Sequence, residues 1–135
     1  MKIVLDTQVL VAGLMRPYAS AGEIVRMVSG AALKLCFDAR ILSEYGRALT
    51  RPSFSFNRER VELLLHHIGA TGELVAGRPL PASLPDVNED AFLEIVMSGE
   101  ARRLVTNNPR RYPQRVRQGL VVSPLELLDL CRREM

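Results

Sequence analysis

Apolar positions along the chain fall into two alternating patterns, short unbroken runs and stripes at helical spacing. Lys2 to Leu5 is a short run that ends in the polar Asp6-Thr7-Gln8, as a buried strand would. Val9 to Leu14 is apolar and stops before Pro17, which predicts one or two helical turns. Ser20 is placed to cap a helix reaching Ser29, with Ile24, Val25 and Val28 on one face and Gly30 at its end. Leu33 to Phe37 predicts a second strand, after which Asp38 caps a helix running to about Arg51, halted by Pro52. Val61, Leu64, Leu65 and Ile68 recur at helical spacing between Arg58 and Ile68.

The stretch from Gly72 to Pro85 carries three prolines and two glycines and reads as mostly loop. Helical spacing returns from Asn88 to Gly99, where Phe92, Ile95 and Val96 are the apolar positions. Arg103 to Thr106 and Leu120 to Val122 are a third and fourth strand. Ser123-Pro124-Leu125-Glu126 has the spacing of a capping box with Pro at the first helical position, so a last helix follows. Apolar strands separated by helices imply a parallel sheet covered on both faces. The expectation is one three-layer α/β/α domain over residues 1–135, with a central sheet of four or five short strands.

Composition adds limits more than direction. Hydrophobic residues are 47% and charged residues 24% of the 135, an ordinary globular balance. No apolar run approaches the roughly 20 residues of a membrane span. Asp6 interrupts what would be the apolar centre of a signal peptide. Cys36 and Cys131 belong to no CxxC or Cys/His cluster, so they read as buried reduced thiols of a cytoplasmic protein, and zinc has no support. The net charge is +3. It is unevenly spread: six arginines (102, 103, 110, 111, 115 and 117) stand between Arg102 and Arg117 without an acid among them. Such a block suits either a phosphate backbone or a solvated or partner-facing surface.

The candidate chemistry is acidic. In an open parallel sheet the functional groove lies beyond the carboxyl ends of the strands. Asp6 follows strand one, Thr106-Asn107-Asn108 follows strand three, Glu44 lies in the helix after strand two, and Asp86 and Asp90 flank another helix start. Converging carboxylates repel unless a cation joins them, and hard oxygen ligands suit Mg²⁺ or Mn²⁺. Each acid also has a purely structural alternative. Asp6 and Asp86 could be helix caps, Glu44 an exposed helix residue, and Asp90 an acid favoured by the helix dipole. His66 and His67 are adjacent on a helix and read as surface residues. No Gly-rich phosphate loop or Gly-x-Ser-x-Gly elbow occurs.

Taken in order, these segments resemble the PIN domain family, and within it the single-domain toxins of VapC type. Met1 to Leu10 is similar to the family's opening strand and Asp-Thr-Asn motif, with Gln8 where Asn is usual. Ile41-Leu42-Ser43-Glu44-Tyr45 resembles the segment presenting the second acid. Asp86 to Leu93 resembles the acid-rich helix start, with Asp90 as the third acid. Leu104 to Tyr112 resembles the strand and turn where many members place a fourth; here Asn108 stands in that position and Arg111 occupies a nearby one that is acidic in others.

The resemblance implies a ribonuclease that hydrolyses RNA phosphodiesters with Mg²⁺ or Mn²⁺. Asp6, Glu44, Asp90 and Asn108 would be its catalytic residues. The ligands would be Asp6, Asp90 and Glu44, with Asp86 and Asn108 as further candidates and one cation firmly held. Thr106, Arg110 and Arg111 would meet substrate. It also implies a homodimer neutralised by a small antitoxin. The rival from another class is a catalytically weakened PIN-like module that grips RNA or a protein without cutting, favoured by Gln8 and Asn108. A phosphatase with Asp6 as nucleophile is weaker, because Gln8 stands where such folds commonly need a second Asp.

Overall fold

The apolar run Lys2–Leu5 forms the central strand, β1, in the computed structural model, which describes residues 1–77, 79–80 and 89–134. Helix α1 (Thr7–Met15) and α2 (Ser20–Ser29) lead to β2 (Lys34–Phe37). Helix α3 (Ala39–Leu49), a 3-10 turn (Pro52–Phe54) and α4 (Arg58–Thr71) lead to β3 (Glu73–Leu74). Then come α5 (Asp90–Met97), β4 (Arg103–Val105), a second 3-10 turn (Pro109–Arg111), α6 (Gln114–Leu120), β5 (Val121–Val122) and α7 (Pro124–Arg133).

The five strands are all parallel, in the order β3-β2-β1-β4-β5. The fold is therefore α/β with helices packed on a central parallel sheet, as the hydrophobic pattern requires. Ile3, Val4 and Leu5 of β1 and Leu104 and Val105 of β4 are wholly buried. One apolar cluster joins them to Ile24, Leu35, Ile41, Ile68, Ile95 and Leu127 from the surrounding elements. No helix among the described residues is long and apolar enough to cross a membrane.

Local chemistry accounts for most boundaries. Asp38 caps α3 by accepting from the Ile41 amide at 3.1 Å, and Asn57 caps α4 through the Arg60 amide at 3.1 Å. The Ser123 and Glu126 box closes α7 in both directions, at 3.1 and 3.0 Å. Helices α1 and α2 approach closely at Gly13, where a Cβ would meet Val25 Cγ2 at 2.5 Å and the Ala21 carbonyl oxygen at 2.7 Å.

Two expectations change and two elements are added. Ser20 is the first helical residue rather than the cap, since the cap position is Ala19, which makes no side-chain bond there. The stretch after Gly72 contributes a strand, β3, through pairing with β2. The polar segment after Tyr112 supplies α6, whose last turn contains Gly119 at φ 81°. Cys36 is buried, its thiol pushed up to about 11 by burial and then by Glu73, whereas Cys131 is only half-buried; both are free.

Candidate active site

Chain order places the first strand at the middle of the sheet, with β2 and β3 added on one side and β4 and β5 on the other. The ends of β1 and β4 thus form the switch point where open parallel sheets bind ligands. Asp6 follows β1 there. Its amide donates to the Val105 carbonyl at 2.9 Å, which fixes the backbone to the end of β4. Its Oδ1 accepts from the Gln8 amide at 3.2 Å and its Oδ2 from the Thr106 hydroxyl at 2.7 Å. The cap and the site are thus one residue: Asp6 starts α1 and also presents a carboxylate at 6% exposure.

Thr106 is 1% exposed and in turn accepts from the Asn108 amide at 3.2 Å. Its hydroxyl is committed to Asp6 rather than offered to solvent, so the side chain holds the carboxylate. Asn108 itself is exposed at the start of the second 3-10 turn.

Glu44 is joined to this corner through its neighbour. Tyr45 is wholly buried, and its hydroxyl donates to the carbonyl oxygen of Leu5 at 2.5 Å, one residue short of Asp6. Burial, and then the negative charge of Asp6, push the phenol well above its ordinary range, so it stays a donor. Glu44 is mostly covered and pairs with Arg47 at 2.8 Å. It lines a cleft of about 300 Å³ with Arg40, Ile41, Ser43 and Arg47 of α3 and Ala91 and Phe92 of α5. Asp90, half-buried, is the first residue of α5, directly before Ala91. Arg40 spans the two helices, donating to Asp38 at 2.7 Å and Glu94 at 3.0 Å. These bonds, that to Glu94 foremost, hold its guanidinium above the ordinary range.

The donor chemistry suits a hard divalent cation. A carboxylate offers about four lone-pair positions, and the protein engages only part of those on Asp6. Next to it, the buried Thr7 hydroxyl finds no hydrogen-bond partner among the described residues. Among those residues no three of Asp, Glu, His or Cys are gathered closely enough to hold a metal as they stand. Asp86, the remaining acidic candidate, lies outside them.

A family model for the PIN domain matches residues 2–110, from β1 through Arg110. The chain belongs to the PIN domain family. PIN domains are generally metal-dependent nucleases acting on RNA, and the matched span contains Asp6, Glu44, Asp90 and Asn108. No curated protein and no solved structure gives a significant match to the chain.

Two features of this PIN domain were hidden from the linear reading. Glu89 is the more deeply buried of the acids at the α5 start, 4% exposed, and it is bonded by Arg111 at 3.0 Å. Nothing in its sequence context separates it from Asp90 beside it. The arginine block is also not one surface. Arg102 precedes β4, Arg103 is its first residue, and Arg110 and Arg111 follow it. Arg102 pairs with Glu134 at 2.7 Å, and Arg117 lines a separate cleft with Arg103 and Arg133. Of the arginines in this block whose side chains are described, Arg110 and Arg111 therefore stand at the end of β4 that faces Asp6. The histidines divide too: His66 is exposed, and His67 bonds the Val28 carbonyl at 3.1 Å.

Proposed function

We propose that this PIN domain is an endoribonuclease that hydrolyses RNA phosphodiesters with Mg²⁺ or Mn²⁺. Supporting this reading above all is the Asp6 carboxylate, buried at the switch point and held by Thr106 at 2.7 Å. Asp6 and Asp90, with Glu44 directly or through water, would hold the cation; Asp86 and Asn108 are further candidates. A divalent cation bound there supplies Lewis acidity, lowering the pKa of a coordinated water and polarising a phosphate oxygen. Thr106 and the start of α1 keep the Asp6 carboxylate from turning away. Tyr45 fastens the helix that carries Glu44 to the end of β1. Arg110, exposed beside Asn108, is available to RNA phosphates.

We further propose that the protein is the toxin of a type II toxin–antitoxin pair, a cytoplasmic homodimer silenced by a small antitoxin. The resemblance to VapC-type toxins supports this. A short open reading frame beside the gene, whose product co-purifies with the chain and suppresses cleavage, is the expected finding.

The core experiment is cleavage of mixed RNA by the purified chain with Mg²⁺ or Mn²⁺, with chelator, and as D6N. Cleavage that needs the metal and vanishes in D6N upholds the nuclease reading. The second reading, a module that binds without cutting, draws on the absence of a gathered acid triad among the described residues. Undiminished RNA binding by metal-loaded protein that never cleaves decides for it.

A further inference from the structure

Glu89 and Arg111 form a bond across 22 residues, between two segments that each carry a site residue. The Glu89 side chain is 5% exposed, and that of Arg111 is 50% exposed, so the acid lies inside and the guanidinium reaches it from the rim. Glu89 occupies the cap position of α5, directly ahead of Asp90. Arg111 ends the 3-10 turn that begins after Asn108, and its own amide donates back to the Asn108 carbonyl at 3.2 Å. At the other end of this turn the Asn108 amide bonds Thr106, which holds Asp6. The turn is thus tied to Asp6 at its start and to the Asp90 segment at its end.

The pair is a weak source of net stability, because desolvation of the buried acid offsets much of the attraction. It is a stronger source of geometry, since the buried Glu89 carboxylate holds in place the guanidinium that reaches it. We propose that Glu89 and Arg111 are positioning residues. Their bond latches the Asn108 turn to the start of α5 and so sets the spacing of the oxygen donors presented to the divalent cation. The proposal rests on the metal-dependent reading above. It gives Arg111 a different task from the phosphate contact expected from the sequence.

Charge and position predict opposite signs, which makes the latch testable. Arg111 is a cation near a cation site, so deleting its charge alone should tighten Mn²⁺ binding. Losing a latch should loosen it. Mn²⁺ titration by calorimetry on the full chain, at fixed ionic strength, compares wild type with R111M, R111K and E89Q. Melting curves of each variant check its fold.

The expected result is Mn²⁺ binding weakened about tenfold or more in R111M, the usual cost of losing a group that orients a metal ligand. R111K should recover part of that loss, and E89Q, which keeps an acceptor oxygen for Arg111, should lose less than R111M. In RNA cleavage kcat should fall while KM for RNA holds. Equal or tighter Mn²⁺ binding by R111M overturns the latch. So does a raised KM with unchanged metal binding, which would make Arg111 a phosphate contact. If R111M fails to fold, R111K decides, since it keeps the charge and changes only the reach and fork of the donor: weakened Mn²⁺ binding supports the latch and unchanged binding overturns it. Wild-type protein that binds no Mn²⁺ at all removes the metal-dependent reading itself, a result distinct from failure of the latch alone.

Discussion

Two parts of the candidate site are built differently, the strand ends that carry Asp6, called here its floor, and the α3–α5 cleft that carries Glu44, called here its wall. On the floor, where β1 meets β4, Asp6, Thr106 and Tyr45 are buried and joined by bonds from amides and hydroxyls. On the wall, between α3 and α5, Glu44, Arg47, Arg40 and Glu94 are joined by ion pairs whose arginines are more than half exposed. Buried neutral donors fix a carboxylate at a set place, because turning it would strand groups that water cannot reach. Exposed ion pairs contribute little stability and exchange partners readily. The floor is therefore preorganised, and the wall is free to trade a protein cation for a bound one.

That contrast can be broken most directly at Asp6. D6N keeps the oxygen that caps α1 but removes the charge, so RNA cleavage should fall by about 10²-fold or more while the melting temperature barely moves. A large loss of stability would mean that Asp6 is chiefly structural. T106V comes next. It deletes the donor to Oδ2 and should weaken Mn²⁺ binding by about tenfold to a hundredfold, with T106S retaining most of it. Equal affinities for T106V and wild type would show that the floor needs no second anchor.

Y45F should destabilise the fold by about 1 kcal/mol in denaturant melts, because the Leu5 carbonyl loses a buried donor. Its effect on cleavage should be smaller than that of T106V. R47A sharpens the wall half of the comparison. Arg47 is 69% exposed in its side chain, so stability should change by no more than about 0.5 kcal/mol. Mn²⁺ affinity should rise slightly as Glu44 is released. A stability loss above about 1 kcal/mol would make the wall as fixed as the floor.

Residues with strong local chemistry were legible in the sequence. Lys2–Leu5 was readable as a strand because an apolar run with a polar stop leaves few alternatives, and Asp38 and Ser123 declared their helices by capping. The meeting of Asp6 with the Thr106 segment followed from a rule of sheet topology. β3 was not legible, because two residues, Glu73 and an exposed Leu74, hold no pattern. Nor was α6, whose Gln114–Leu120 span is mostly polar.

At the site, what escaped was pairing. Arg40 meets Glu94 across 54 residues, and Arg111 meets Glu89 across 22. Charge type shows that an arginine will seek an acid. It does not show which acid the fold will put beside it. The same limit explains the arginine block, whose members are neighbours in the chain but are divided by the length of β4.

The bond between Thr106 and Asp6 joins residues 100 positions apart. During synthesis the amino-terminal segment therefore emerges long before its partner strand exists, and β1 then has only β2 to pair with. A ribosome-bound chain stopped short of β4 holds Asp6 but lacks the group that aims it. Whatever depends on an aimed Asp6 carboxylate therefore waits until β4 and the Thr106 segment have joined β1.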